Sequence, residues 1–277
     1  MKISFSVAMC VYGGDNSTWF DKALESVTVN QNVKPNELVL VVDGPITDEI
    51  EKVIQKYTQI VDSNGISFTV YRFFENKGHG NARRKSIELC NCDYIALMDS
   101  DDISVPTRFE QQLFFLSKNN ADIVGGNVSE FIERETNIVS RRIVPERDLE
   151  IKLFAKKRCP MNQVTVMFKK EAYLDVGGYI DWFCEEDYYL WLRMILSNKI
   201  FANLPVDLVK VRVGRDMYKR RGGLRYFRSE KKLQKYMLKN KVITFPRYLL
   251  NVLERFVVQV LLPSKIRGWV FRKMARA

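Results

Sequence analysis

Two short clusters of acidic residues carry the most evident chemistry in this sequence. Asp99, Asp101 and Asp102 follow directly after an apolar run that ends at Met98. Like charges this close raise one another's pKa unless a cation or hydrogen-bond donors compensate them. Alternate residues of an extended segment point the same way, so Asp99 and Asp101 can converge on one cation, for which Mg²⁺ or Mn²⁺ is suited. The alternative is a solvated acidic turn in which Asp102 caps a helix.

The second cluster, Glu185 to Asp187, opens a segment with helical periodicity. Acids at a helix N-terminus are favoured by the macrodipole, so capping is the simplest explanation for any one of them. Three in a row exceed what capping needs, and an unpaired set repels itself. This cluster is therefore a second candidate for a functional site.

The elements that must position these acids alternate along the chain. Almost wholly apolar runs predict strands at 4–12, 37–44, 68–74 and 93–99, and amphipathic runs predict helices at 17–31, 47–59 and 80–90. Ser17 or Thr18 is the expected cap of the first helix, and Thr47 caps the second. Such alternation predicts an α/β fold whose parallel sheet is covered on both faces. Ligands then bind beyond the carboxyl ends of the strands, where glycine and aspartate recur.

The following segment, about 105–213, is less regular. It predicts helices at 108–119 and 185–198, a strand at 122–132, and a strand, short helix and Gly-Gly turn within 162–179. Two further helices are expected at 222–241 and 247–261.

The ordered set of motifs resembles the family 2 glycosyltransferases, inverting enzymes with a GT-A fold. The resemblance covers roughly residues 4–213 and rests on CVYGGD (10–15), VLVVDG (39–44), NKGHGNARR (76–84), LMDSDD (97–102) and GGYIDWFCEEDYYLWLRM (177–194). The chain departs from the family pattern at Gly13, Gly14 and Gly44. It also lacks a late-strand histidine, since its single histidine, His79, lies in a glycine-rich turn and is expected to be a turn or cap residue.

The resemblance implies a role for each matching residue. Nucleotide binding is expected from Val11, Tyr12, Asp43, Gly78, Arg83, Asp99 and Ser100. The expected metal ligands are Asp101 and Asp99, completed by donor phosphates. Contacts with the sugar or diphosphate are expected from Asp102, Arg212, Arg220 and Arg221, since arginine binds phosphate bidentately. The expected catalytic base is Asp187, with Glu186 as the second choice.

Charge is distributed unevenly along the 277 residues. Residues 1–209 contain 30 acids and 24 bases, whereas residues 210–277 contain three acids and 20 bases. Within the predicted helix 247–261, the polar residues Asn251, Glu254, Arg255 and Gln259 form one narrow stripe beside a broad apolar face. A cationic segment of this kind predicts binding to an anionic membrane surface. Packing of the helices on the body is the alternative, and no nucleic-acid-binding signature accompanies the charge.

Together these features predict a GT-A domain at 1–213, with a nucleotide-binding half (1–104) and an acceptor half (105–213), followed by a membrane-associating extension at 214–277. The sequence contains no run of 18 apolar residues, so no membrane span is predicted. The N-terminal apolar run alternates as a strand does, which argues against a signal peptide. The odd number of cysteines suits reduced thiols in a reducing compartment. The expected location is cytoplasmic, peripheral on the inner face of the cell membrane.

The expected activity is transfer of a hexose from a nucleotide-diphosphate sugar, UDP above all, to a polyprenyl-diphosphate-linked saccharide in bacterial surface-polysaccharide synthesis. Met161, Asn162 and Gln163 are among the residues expected to select donor and acceptor. A nucleotidyltransferase is one alternative, although YGGDNST lacks the required phosphate loop with a basic residue. A non-catalytic, membrane-bound scaffold that binds sugar nucleotides is the other.

Overall fold

The computed structural model describes residues 3–214 and 222–263. Its strands are β1 Phe5–Tyr12, β2 Glu37–Asp43, β3 Ser67–Arg72, β4 Tyr94–Met98, β5 Ile103–Ser104, β6 Ile123–Phe131, β7 Ile138–Arg142, β8 Met167–Lys169 and β9 Phe201–Arg212. Its helices are α1 Ser17–Val27, α2 Asp48–Ser63, α3 His79–Leu89, α4 Arg108–Lys118, α5 Asp148–Phe154, α6 Lys170–Leu174, α7 Glu186–Leu196, α8 Leu224–Lys239 and α9 Phe245–Phe256. A 3₁₀ turn covers Gln163–Thr165, and a π-helical turn, Val257–Leu261, continues α9.

The described strands form one curled sheet in the order β3-β2-β1-β4-β8-β6-β9-β5, with β7 paired to β6. The β3-β2-β1-β4 half is parallel, as the apolar runs predicted, and every residue of β2 is buried. In the other half only β6 and β9 pair in parallel. Parallel pairing brings the ends of β1, β2 and β4 to one edge, where Tyr12 lies opposite Asp43. The predicted α/β fold class is therefore confirmed.

Successive residues of the central strands face two different apolar layers. Val7 and Met9 of β1 pack with Phe20 of α1 and Tyr57 of α2 on one face. Ala8 packs on the opposite face, with α3 and α7. This alternation follows from the two-residue period of a strand. It holds α3 and α7 on the same side of the sheet, which matters for the site described below.

Several local predictions need correction. α1 ends at Val27 rather than at residue 31, and its N-cap is Asn16, whose side-chain oxygen accepts from Trp19 N at 3.1 Å. Ser17 and Thr18 are therefore the first helical residues. Thr47 caps α2 as predicted. β5, β7, α5 and β9 were not predicted, and β9 is a strand because β6 supplies the hydrogen bonds that its mixed sequence does not suggest.

The two helices of the basic C-terminal segment pack on the body. Leu233 and Met237 of α8 contact Tyr188 and Leu192 of α7 in a small apolar cluster. The packing alternative is thus correct for α8. No helix in the described residues is long and apolar enough to span a bilayer. Arg220, Arg221 and the basic run that follows Pro263 lie outside the described residues.

Candidate active site

The first acidic cluster forms a turn between β4 and β5. Because β4 ends at Met98, Asp99 and Asp101 do not lie on an extended strand, and the argument from strand alternation was wrong. They still interact electrostatically. Burial, together with the charges of Asp99 and Asp15, raises the pKa of Asp101 to about 6. The turn therefore gathers carboxylates whose negative charge the surrounding protein compensates only in part.

Asp102, the last acid of the turn, is buried. Its Oδ1 accepts a hydrogen bond from Arg212 N at 2.8 Å, and the N-cap of α4 is Thr107. The cap alternative for Asp102 is therefore wrong. Burial, with the charges of Asp101 and Asp99, raises the pKa of Asp102 well above its usual value. The guanidinium of Arg212 contacts the rings of Trp19 and Phe131, and its Nε donates to Asp101 O at 3.2 Å, so the end of β9 is attached to the acidic turn.

The loop after β1 contacts the acidic turn through Asp15. Asp15 Oδ2 accepts from Ser100 Oγ at 2.8 Å and from Tyr12 N at 3.2 Å. The Tyr12 side chain is half exposed, whereas Val11 is buried within the sheet. A Cβ at Gly14 would lie 2.5 Å from the Tyr12 ring, so glycine at this position lets the ring fold back over the loop.

Asp43, at the end of β2, holds the turn that precedes α3. Its carboxylate accepts from Lys77 N at 2.6 Å and from Gly78 N at 3.0 Å. Gly44 has φ +84°, and a Cβ there would lie 2.6 Å from Asn76 N. Glycine at this position thus allows the two loops to approach each other.

Arg83 of α3 joins the two acidic clusters. Its guanidinium, almost fully buried, donates to Asp99 Oδ1 at 3.1 Å and to Asp187 Oδ1 at 3.0 Å, and lies 3.8 Å from Glu186 Oε1. His79, the first residue of α3, contacts the same guanidinium. The charge of Arg83 and burial lower the pKa of His79 to about 4, so the imidazole is neutral.

Asp187 lies in the first turn of α7 and faces the cavity. Besides Arg83, Tyr179 Oη donates to its Oδ1 at 2.8 Å. Burial raises the pKa of Asp187, and Arg83 opposes the rise. The pKa of Glu186 is raised to about 7, by burial and by the charge of Asp187. Two carboxyls with elevated pKa beside one arginine are a typical arrangement for proton transfer near neutral pH.

Glu185 does not join the other two acids. It is the N-cap of α7, is buried, and lies against Glu230 of α8, whose partner is Arg255 of α9. Burial and the charge of Glu230 raise the pKa of Glu185 well above its usual value. The third acid of the cluster thus links the C-terminal helices to the start of α7.

One cavity of about 970 Å³ connects these groups to the C-terminal helices. One end is lined by Arg83, Asp99 and Asp187, and the other by residues of α9 and its π-helical continuation. The same cavity is also lined by Met161, Asn162, Gln163 and the basic residues Arg142, Lys157 and Arg158. Within residues 3–214 and 222–263, no three acids, cysteines or histidines are close enough to form a metal shell by themselves.

Comparison with known proteins decides the family. The model of glycosyl transferase family 2 matches residues 6–177. This chain belongs to glycosyl transferase family 2.

Particular relatives agree with this assignment. This chain is 33% identical to an Escherichia coli protein, UDP-Gal:alpha-D-GlcNAc-diphosphoundecaprenol beta-1,3-galactosyltransferase. The alignment covers 98% of this chain and 96% of the relative. The structure of S. aureus TarS 1-349 in complex with UDP-GlcNAc has the same fold, with a TM-score of 0.67 at 16% identity over 92% of this chain and 73% of that one. The structure of mannosyltransferase PcManGT from Pyrobaculum calidifontis in complex with GDP-Man and Mn²⁺ also has this fold. Its TM-score is 0.63 at 13% identity, over 100% of this chain and 77% of that one.

Three residues that the structure places at this candidate site were not singled out from the sequence. Asp15 and Tyr179 lie inside motifs that were recognised, CVYGGD and the Gly-Gly-Tyr stretch, so their proximity to the acids could have been inferred. Arg142, whose charge lowers the pKa of Asp187, is on β7, a strand with no motif. Only the fold brings it to the site.

Proposed function

We propose that this glycosyltransferase moves a hexose from a UDP-sugar to a saccharide linked to a polyprenyl diphosphate, with inversion at the anomeric carbon. The observation that carries the proposal is the bridge made by Arg83 between Asp99, at the end of β4, and Asp187, at the start of α7. This bridge holds Asp99, expected to bind the nucleotide-sugar donor, and Asp187, the expected base, in one cavity. The name of the Escherichia coli relative supports both substrate classes.

The donor nucleotide is proposed to lie over the ends of β1, β2 and β4. Asp101 and Asp99 would hold a divalent cation, Mn²⁺ or Mg²⁺, whose remaining ligands come from the donor diphosphate. The raised pKa of Asp101 fits this role, because an excess of carboxylates favours a bound cation. Glycosyltransferases with this fold commonly use a divalent metal. When bound, the cation would neutralise charge on the leaving nucleoside diphosphate.

Asp187 is proposed as the base for the acceptor hydroxyl. It takes the hydroxyl proton as that oxygen forms a bond to the anomeric carbon, and the carbon–oxygen bond to the diphosphate breaks on the opposite face. Burial makes the carboxylate a stronger base, while Arg83 and Tyr179 fix its orientation. Glu186, 3.8 Å from the same guanidinium, is the second candidate.

The C-terminal segment is proposed to bind an anionic membrane surface. α9 buries Asn251, and its π-helical continuation buries Gln259, whereas Leu249 and Leu253 are more than half exposed and Glu254 is exposed as well. A helix packed on a protein core normally shows the reverse arrangement. Its exposed leucines, with the positive charge of the segment, suit peripheral attachment at the membrane face that has access to nucleotide sugars.

Calorimetric titration with UDP, with and without Mn²⁺, tests the donor site in the wild type and in Asp101→Ala. We expect micromolar binding that requires both Mn²⁺ and Asp101. A panel of UDP-hexoses with a synthetic polyprenyl-diphosphate saccharide then identifies the product. If neither UDP nor another nucleotide binds, and no sugar is transferred, the proposal is wrong.

A further inference from the structure

We propose that the end of the cavity between residues 156–158 and α9 binds the diphosphate of the acceptor together with the first units of its lipid chain. The inference rests on the function proposed above and assigns a site to the part of the acceptor that does not react. Four observations support it: the position of a turn, its charges, an unsatisfied amide and an apolar lining.

The turn that follows α5 lies between the catalytic face and α9. On one side, Arg142 Nη2 donates to Cys159 O at 2.8 Å. On the other, Asn251 Nδ2 donates to Lys156 O and Arg255 Nη2 donates to Lys157 O, both at 2.9 Å. This part of the cavity wall is therefore fixed from both sides, so its charges stand at a defined place between the base and the C-terminal helix.

Three cationic side chains belong to this turn and the neighbouring strand β7. Arg142, Lys157 and Arg158 all line the cavity. Four carboxyl groups, those of Glu130, Glu185, Glu230 and Glu254, also line the cavity. Glu230 pairs with Arg255, Glu130 accepts from Ser140, and the raised pKa of Glu185 reduces its negative charge. Two guanidinium groups and an ammonium suit a diphosphate. The donor diphosphate is already assigned to the acidic turn at the far end, so a second anion site fits the diphosphate of the acceptor.

Uncharged polar residues lie beside these cations in the same cavity. Among the described residues, the buried Nε2 of Gln163 has no hydrogen-bond acceptor. A saccharide hydroxyl would satisfy it. Asn162 is fixed by hydrogen bonds from its Nδ2 to Gly126 O and Arg142 O. Arg142 and Asp187 line the same cavity, and the charge of Arg142 acts on Asp187.

Beyond the cations the lining becomes apolar. Leu253, Val257 and Val258 line the cavity, and Leu253 remains 61% exposed. These residues continue into the exposed apolar face of α9 proposed above to contact the membrane. A ligand that is anionic at one end and apolar at the other matches this order, and the lipid-linked acceptor has both properties.

The cationic wall is tested in the full-length protein with Lys157→Gln/Arg158→Gln and, in case the double variant folds poorly, with Lys157→Gln alone. The charge-matched control is Lys52→Gln/Lys118→Gln, on exposed residues outside the cavity. We expect KM for a diphosphate-linked acceptor to rise about ten-fold in the double variant, about three-fold in the single variant, and not in the control. With an alkyl glycoside of the same saccharide, which lacks the diphosphate, both variants should behave like the wild type.

The apolar lining is tested with Leu253→Gln/Val257→Gln against Leu249→Gln/Leu250→Gln, which lie on the same helix but outside the cavity. Acceptors carrying a short or a medium alkyl chain on the diphosphate are compared in solution, without vesicles. We expect only the first variant to lose the preference for the longer chain.

The possible failures are distinguishable. If the wild type transfers sugar but the variants at Lys157 and Arg158 keep its KM for the diphosphate-linked acceptor, the subsite is wrong and the proposed function stands. If these variants instead weaken UDP binding, the cations serve the donor diphosphate, which also overturns the inference. If the wild type transfers no sugar to any acceptor, the proposed function itself fails.

Discussion

The two ends of the cavity are built in opposite ways. At the end proposed to bind the donor, called the donor end, charged groups are buried and held by fixed partners. Arg83 contacts Asp99, Glu186 and Asp187 at once. At the opposite end, next to α9 and called the helix end, the lining residues Lys157 and Leu253 are both exposed. The first arrangement fixes the relative orientation of these charged groups, as the proposed catalysis would require. The second provides charge and apolar surface, without a rigid network, for a long flexible ligand.

This comparison shows where a substitution should change the reaction rate and where it should change substrate choice. Substitutions at the donor end should lower the rate with every acceptor. Substitutions at the helix end should act through affinity for the lipid-linked acceptor or the membrane.

The largest effect is expected from Asp187→Asn. Loss of the base should lower the transfer rate by about 10³-fold, while UDP affinity stays within about three-fold of the wild-type value. Steady-state kinetics and calorimetry measure the two quantities. Asp175→Asn, on an exposed aspartate paired with Lys199, is the control. Unchanged transfer by Asp187→Asn would show that Asp187 is not the base. Absence of transfer by the wild type would favour the scaffold alternative.

Arg83→Lys should lower the rate by about 10²-fold. A lysine ammonium is a point charge and cannot reproduce the fork that reaches Asp99 and Asp187 together. The acids should then lose their relative orientation, and UDP affinity should fall as well. Arg84→Lys, on an exposed neighbour in the same helix, is the matched control. Equal rates for the two variants would show that the bridge is structural only.

Leu249→Gln/Leu250→Gln should weaken binding to anionic vesicles by about 30-fold. Each half-exposed leucine is expected to lose about 1 kcal/mol of transfer free energy when it no longer enters the interface. Sedimentation with vesicles measures this, with Leu174→Gln, an exposed leucine on α6, as control. Equal sedimentation of all three proteins would show that the open face of α9 does not contact the membrane.

The Mn²⁺-dependent affinity for a UDP-hexose should fall about ten-fold from about pH 7.5 to about pH 5. The pKa of Asp101 is raised to about 6, so only about a tenth of this carboxyl is ionised at the lower pH. A UDP-hexose is used because its diphosphate does not titrate in this range. Affinity that stays constant over the interval would mean that Asp101 is not a ligand.

The smallest effect concerns stability. Because the pKa of Asp101 is raised in the folded state, the native protein binds more protons than the unfolded chain between about pH 4 and pH 6. Stability from this group therefore falls as pH rises through that window. At about pH 8, Asp101→Asn should raise Tm by about 2–4 °C in metal-free protein, and added Mn²⁺ should stabilise only the wild type. Equal or lower Tm for the variant would contradict the electrostatic argument.

The residues that the fold brings together at the candidate site lie mostly in short motifs that are visible in the sequence. LMDSDD and the EED cluster identified the acids, and NKGHGNARR identified Arg83, which indeed contacts both. Prediction from the sequence failed where side-chain direction depends on backbone geometry. Asp99 and Asp101 were expected in an extended segment, but the chain turns after Met98. Asp102 was considered as a helix cap, but the N-cap of α4 is Thr107.

The amino-acid pattern by itself determined the parallel half of the sheet, because four apolar strands separated by amphipathic helices have few other ways to bury their faces. It also determined that acids gather at strand ends and that the C-terminal segment is cationic. Only the tertiary structure decided that α3 and α7 share a face, so that Arg83 meets residues about a hundred positions away. It alone decided that α9 turns Asn251 inward and Leu253 outward, because polar partners for Asn251 exist only where α8 and the turn at Lys156 meet it.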